Sequence, residues 1–253
     1  MTRLAQGAGR RRFGIVGAGH VAPRGGAALR RGPRAIAGGV LLVLALVNGG
    51  PFGCSRSAPV DCGDCARQFG GHRVVACLGD SNTHQPEQAG WCELLAQQDG
   101  SLRFLNYGFP GGVVVPSTPR FAVLDGAYWL DRALALAPPS LVIMAFGTND
   151  LRSGKTPAEV VEGYRKLKQR SEQAGARVLI ALTPPMKPKT IDKSAEVLEL
   201  NELLREAFPG ETVDFFTGFD LATDLTPDGI HFTEAGHRKR AAAVSEAMAR
   251  RPL

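Results

Sequence analysis

A layered α/β/α domain built around a parallel sheet is the fold that this sequence predicts, and three observations predict it. Beyond residue 72, short and nearly unbroken apolar runs alternate with longer segments whose apolar residues recur at helical spacing. The runs lack the apolar–polar alternation of a strand with one wet face, so they suit strands buried on both faces. Four of them also give way to clusters rich in glycine, asparagine, aspartate and serine, the residues of tight turns.

Taken in order, the expected strands are Val74–Leu78, Leu102–Leu105, Leu141–Phe146, Val178–Leu182 and Val213–Phe216. Between them lie helices with readable ends. Thr156-Pro157-Ala158-Glu159 is a capping box with proline at the first helical position, followed by Val160, Tyr164 and Leu167 at helical spacing and closed by Gly175. Leu200, Leu203, Leu204 and Ala207 repeat the pattern before Pro209-Gly210 stops it, and a last helix is expected from about Thr233 to Arg250. Strand–helix alternation of this kind requires right-handed crossovers. There is no internal repeat and no insertion long enough for a second domain.

Charge is unevenly placed. The chain of 253 residues carries a net charge of +6, but residues 1–58 hold nine arginines, no lysine and no acid, leaving 21 basic against 24 acidic residues beyond them. The basic character therefore belongs to the leader, which argues against nucleic-acid binding by the domain. Arginines crowd residues 10–34, and Ala35–Val47 then gives thirteen apolar or glycine residues ended by Asn48-Gly49-Gly50-Pro51. That length suits the core of an export signal and falls short of a membrane span. Residues 1–53 are accordingly expected to be an export leader and 54–72 a linker, giving a periplasmic or extracellular protein.

Cys54 follows Gly53, a Gly-Cys pair that resembles a lipoprotein cleavage site, although Pro51 and Phe52 stand where leucine and a small residue are expected. A membrane tether through Cys54 and an untethered mature chain both stay open. "GIVGAGHVA" (14–22) has the look of a dinucleotide-binding turn, but Pro23 follows it and the first acid is Asp61, so it is rejected. Export also permits pairing among Cys54, Cys62, Cys65, Cys77 and Cys92. Cys62 and Cys65 have metal or redox spacing without a second ligand pair, so they read as a local disulfide or free thiols. No metal and no cofactor is expected.

The chemistry collects behind the strands. "GDSNT" (79–83) follows the first, "NYGFPGG" (106–112) the second, "GTND" (147–150) the third, and "PDGIH" (227–231) lies beyond the fifth. In a parallel α/β sheet these clusters converge on one crevice at the carboxyl edge. A serine there needs a base. His231 is favoured over His84, because Asp228 three residues earlier can turn back onto its imidazole; His237 reads as a helix-surface or packing residue. The oxyanion donors expected are the Asn149 amide, the Gly108 N–H, and the Ser81 N–H at the start of a following helix.

In order and spacing, "GDSNT", "NYGFPG", "GTND" and "DGIH" resemble the four blocks of the SGNH (GDSL-type) hydrolases, and the resemblance covers about residues 73–250. It implies a flavodoxin-like five-stranded parallel sheet over the hydrolase domain, 73–253. It further implies a serine esterase with Ser81 as nucleophile, Asp228 and His231 as the acid–base pair, and Gly108 and Asn149 as oxyanion residues. Asn82 replaces the leucine of the name-giving string. The expected activity is an exported carboxylic-ester hydrolase that removes short acyl groups, acetyl foremost, from a small-molecule or polysaccharide ester. The short, glycine- and proline-rich segments after the strands offer little to enclose a long chain, and Val113-Val114-Val115 would line only a small patch. Two other readings stand beside it: a lysophospholipase or thioesterase on longer acyl chains, and a non-catalytic surface protein that binds acylated polysaccharide.

Overall fold

The computed structural model describes residues 71–84, 89–116, 119–188 and 191–253. The expected export leader, Cys54, and the Cys62 and Cys65 pair lie outside the described residues, as does nearly all of the expected linker. One five-stranded sheet organises the domain: β1 (Arg73–Gly79), β2 (Leu102–Gly108), β3 (Leu141–Ala145), β4 (Arg177–Ala181) and β5 (Thr212–Val213). All pairings are parallel, in the order β2-β1-β3-β4-β5. Among the described residues six α-helices cover it: α1 (Trp91–Gln98), α2 (Gly126–Leu136), α3 (Thr148–Arg152), α4 (Pro157–Gln173), α5 (Ser194–Ala207) and α6 (Glu234–Arg250).

Side chains alternate across a strand, so β1 splits its residues between two cores. Ala76 and Leu78 join Leu130 of α2, Tyr164 of α4 and Leu200 of α5 on one face. Val75 and Cys77 join Trp91 and Leu95 of α1 and Val244 of α6 on the other. Burial on both faces explains the unbroken apolar runs. The chain order reverses direction across the sheet between β1 and β3, and such a switch point opens a crevice at the carboxyl ends of those two strands. Ser81 follows one of them and Asn149 the other.

The capping box forms as expected: the Glu159 N–H donates to Thr156 Oγ1 at 3.2 Å and the Thr156 N–H donates to Glu159 Oε2 at 2.8 Å. Several boundaries differ from expectation. The second strand continues to Gly108, because its ladder with β1 holds from Arg73↔Leu102 to Gly79↔Gly108; Asn106 and Tyr107 belong to the strand rather than to the loop after it. The fifth ends at Val213, because Asp214 Oδ1 accepts the N–H groups of Phe216 (2.9 Å) and Thr217 (2.8 Å) and turns the chain out of the sheet. Helices α1 and α2 carry no readable start: neither Gly90 nor Asp125 makes a side-chain capping bond.

Cys77 of β1 and Cys92 of α1 form a disulfide across 15 residues of sequence. Closing a loop of that length stabilises a fold by roughly 3 kcal/mol through the unfolded chain. Urea unfolding with and without reductant should differ by about that amount. Equal stabilities would show that the bond contributes nothing to the fold.

Candidate active site

The turn after β1 is tightly held. The N–H groups of Thr83 and His84 both donate to the Asp80 carbonyl at 3.0 Å, and the Asn82 N–H donates to Asp80 Oδ1 at 2.9 Å. Residues 81–83 are thus a turn, and the next helix among the described residues is α1, so the expected helix beginning at Ser81 is absent there. Asn106 at the end of β2 braces the turn, its Nδ2 donating to the Thr83 carbonyl at 2.7 Å. Gly108 presses against the same turn. A β-carbon at this position would overlap the backbone of Thr83 and His84, so only glycine lets the end of β2 come this close.

The loop before α6 brings the second half of the site. His231 Nε2 lies 2.9 Å from Ser81 Oγ, and its Nδ1 lies 2.6 Å from Asp228 Oδ2. The other oxygen, Asp228 Oδ1, accepts from the Thr226 hydroxyl (2.8 Å) and from the N–H groups of Ile230 (2.8 Å) and His231 (3.0 Å). Partial burial alone would raise the Asp228 carboxyl; the bonds from the His231 ring, the two N–H groups and Thr226 outweigh it and hold the group well below the ordinary carboxylate range. An ionised carboxylate can only accept, so it fixes the neutral imidazole with its proton on Nδ1 and leaves Nε2 to accept from Ser81. The side chains of His231 and Asp228 keep 42% and 47% exposure, which makes the site open.

The third part lies behind β3. Gly147, at φ +107°, turns the chain into α3, a conformation strained for any other residue. Asn149, half-buried on α3, donates its Nδ2 to the Gly112 carbonyl at 3.2 Å. The Gly108 N–H, expected to be an oxyanion donor, is instead given to Asn106 Oδ1 at 2.8 Å. In the same loop the Gly111 N–H meets no acceptor among the described residues. No signal in the sequence separated these glycines.

Asp150 carries no signal in the sequence beyond its place in the third cluster. It is fully buried on α3, and its Oδ1 accepts the N–H groups of Val114 (3.1 Å) and Val115 (2.9 Å), pinning the loop after β2 to the helix that carries Asn149. Val113 and Val114 are buried as a result, rather than spread as an open apolar patch.

Of the other histidines, His84 and His72 are exposed, and His72 Nδ1 lies 3.0 Å from the Ser101 carbonyl oxygen. His237 is buried and packs edge-on against Phe232, with ring centroids 5.6 Å apart; burial, with Arg240 and His231 nearby, pushes it down to about 3 and keeps it neutral. Arg240 stacks on Phe232 at 3.6 Å and on Phe215 at 4.5 Å beneath the site. Burial pushes it down to about 9, against the pull of Asp80 nearby. Among the described residues no group of three His, Cys, Asp or Glu side chains is placed to hold a metal ion.

Residues 77–239 match the model of the GDSL-like lipase/acylhydrolase family. None of the curated proteins matches the chain in sequence. Among solved structures, a member of the lipolytic protein G-D-S-L family from Veillonella parvula is 22% identical, with a TM-score of 0.58 over 70% of this chain and 99% of that one. An acetyl-xylooligosaccharide esterase from Geobacillus stearmophilus is 17% identical, with a TM-score of 0.55 over 70% of this chain and 94% of the other. A carbohydrate esterase family 3 protein from Talaromyces cellulolyticus is also 17% identical, with a TM-score of 0.54 over 70% and 97%. These likenesses establish the fold.

Asp150 yields a test of the loop anchor. Burial lifts its carboxyl from 3.8 to about 6, against the N–H groups of Val115 and Val114. The fold thus favours the protonated acid: this contribution to stability is complete below about pH 3.8 and is lost as pH rises through about 6. Relative to Asp150→Asn, the native protein should gain up to roughly 3 kcal/mol between pH 7 and pH 4. Urea unfolding of both proteins across that range checks it; a constant difference would contradict it.

Proposed function

The chain belongs to the GDSL-like lipase/acylhydrolase family and is an ester-bond hydrolase of the SGNH type, and from that premise we propose that Ser81, His231 and Asp228 are its catalytic triad. One observation carries the reading: the hydrogen-bonded sequence from Ser81 Oγ to His231 Nε2, and from His231 Nδ1 to Asp228. As the serine oxygen bonds to the ester carbonyl carbon, His231 Nε2 takes its proton and Asp228 stabilises the imidazolium. The carbonyl oxygen becomes an oxyanion. Its donors are the Ser81 N–H, the Asn149 amide and a backbone N–H of the loop after β2, for which Gly111 is better suited than Gly108 because the latter is held by Asn106. Collapse expels the alcohol, which leaves with the proton from His231, and water then releases the acid from the acyl-serine by the same steps.

We further propose that the acyl group is short, acetyl foremost, on a small-molecule or carbohydrate alcohol. The exposure of His231 and Asp228 supports an uncovered site, and two structures of similar fold are carbohydrate-directed esterases by name. Longer acyl chains are the second reading, favoured by a groove of about 390 Å³ beside the loop after β2, whose apolar wall of Val114, Val115, Ala127 and Leu167 faces a charged rim that includes Glu159 and Lys166. Export is proposed from the leader, and the buried Cys77–Cys92 bond agrees with an oxidising compartment.

Ser81→Ala and His231→Ala should each lower kcat by at least about 10⁴-fold, and Asp228→Asn by a factor about 10- to 100-fold smaller. A fluorophosphonate probe should label the native protein and leave Ser81→Ala unlabelled; retained turnover in Ser81→Ala would end the triad assignment. Along a series of para-nitrophenyl esters, kcat/KM should peak at acetate or butyrate. A peak at octanoate or beyond would favour the longer-chain reading.

A further inference from the structure

Asn82, next to Ser81, is only 2% exposed, and every polar group of its side chain is engaged across the site. Its Nδ2 donates to the Ile230 carbonyl at 3.2 Å and its Oδ1 accepts the Phe232 N–H at 3.1 Å. Ile230 and Phe232 are the two neighbours of His231. The side-chain amide thus pairs with the backbone on either side of the histidine, as a neighbouring strand would. Its own N–H is tied to Asp80 Oδ1 at 2.9 Å, so Ser81 lies between two anchored residues, and so does His231.

We propose that Asn82 is a positioning residue, whose amide sets His231 against Ser81 through the backbone of Ile230 and Phe232; this rests on the triad assignment above. The physical need is plain. Ser81 and His231 are 150 residues apart in sequence, and a single hydrogen bond contributes only about 1 kcal/mol net, too little to hold two loops in register. Asp228 fixes the direction of the imidazole ring but belongs to the same loop, so it cannot set the distance of that loop from β1. Asn82 bridges the two through a buried side chain anchored on both sides of His231. Leucine at this position, as in the name-giving string, has neither the donor nor the acceptor.

The test is a double-mutant cycle on the full chain with para-nitrophenyl acetate, below the melting temperature of each variant as measured by circular dichroism. Asn82→Ala should lower kcat by about 10- to 100-fold, the cost of a misplacement near 1 Å, with KM within about threefold. In a His231→Ala background the same substitution should change the residual rate by less than about threefold, because the group it positions is gone. Asn82→Asp, of the same size, keeps the acceptor for Phe232 but sets an oxygen against the Ile230 carbonyl, and should lower kcat at least as far as Asn82→Ala does. Undiminished kcat in folded Asn82→Ala, or an equal loss with and without His231, would overturn the proposal. If instead Ser81→Ala and His231→Ala keep their activity, the triad assignment itself has failed.

Discussion

Two loops at the carboxyl edge of the sheet meet in one contact, the 2.9 Å hydrogen bond between Ser81 Oγ and His231 Nε2. The bond is weak beside the entropy of ordering the two loops that supply it. It can persist only where other bonds fix both loops. The serine loop is fixed by the three bonds to Asp80, by Asn106, and by the close approach of Gly108. The histidine loop is fixed by the bonds gathered on Asp228 Oδ1. Ser81 and His231 themselves remain half-exposed at the mouth of the crevice.

Side-chain amides do much of this work, for a reason rooted in the fold. A parallel ladder ends with the strand, yet the loops just beyond remain partly buried, and their backbone groups still need partners. An asparagine sets a donor and an acceptor side by side in a plane, as a peptide strand does. Asn82 pairs with residues 230 and 232 in this way. Asn201 of α5 does the same with Thr183 beyond β4, accepting its N–H and donating to its carbonyl at 2.8 Å each. Beyond β3 the partner is the carboxyl group of Asp150, whose Oδ1 accepts two N–H groups from the loop after β2. A single oxygen meets both donors there.

Much of this was legible from local sequence. Apolar runs mark the sheet because burial on both faces leaves no polar residue to interrupt them, and the Thr156–Glu159 box marks α4 because it is satisfied within four residues. Ser81, Asp228, His231 and Asn149 stood out as polar groups placed just after apolar runs, and the structure gathers the first three into hydrogen-bonding distance. What escaped was long-range. The accepting role of Asp150 depends on N–H groups 35 and 36 residues away, and that of Asn82 on a loop 148 residues away. The choice among the glycines of 108–112 turns on where Asn106 points. The early end of the fifth strand depends on one side-chain oxygen, Asp214 Oδ1, that composition does not distinguish from any other aspartate.

The Cys77–Cys92 bond has a topological effect apart from its energy. It converts the stretch between β1 and α1 into a covalent ring, and Ser81 is a member of that ring. A single backbone cut anywhere between Leu78 and Trp91 would open the ring without separating the pieces. The fragment bearing the serine would stay attached to the rest of the domain through sulfur. A nicked molecule of this kind runs as one species on a non-reducing gel and as two once the thiols are freed, so its intactness by mass and its integrity of chain are separate properties.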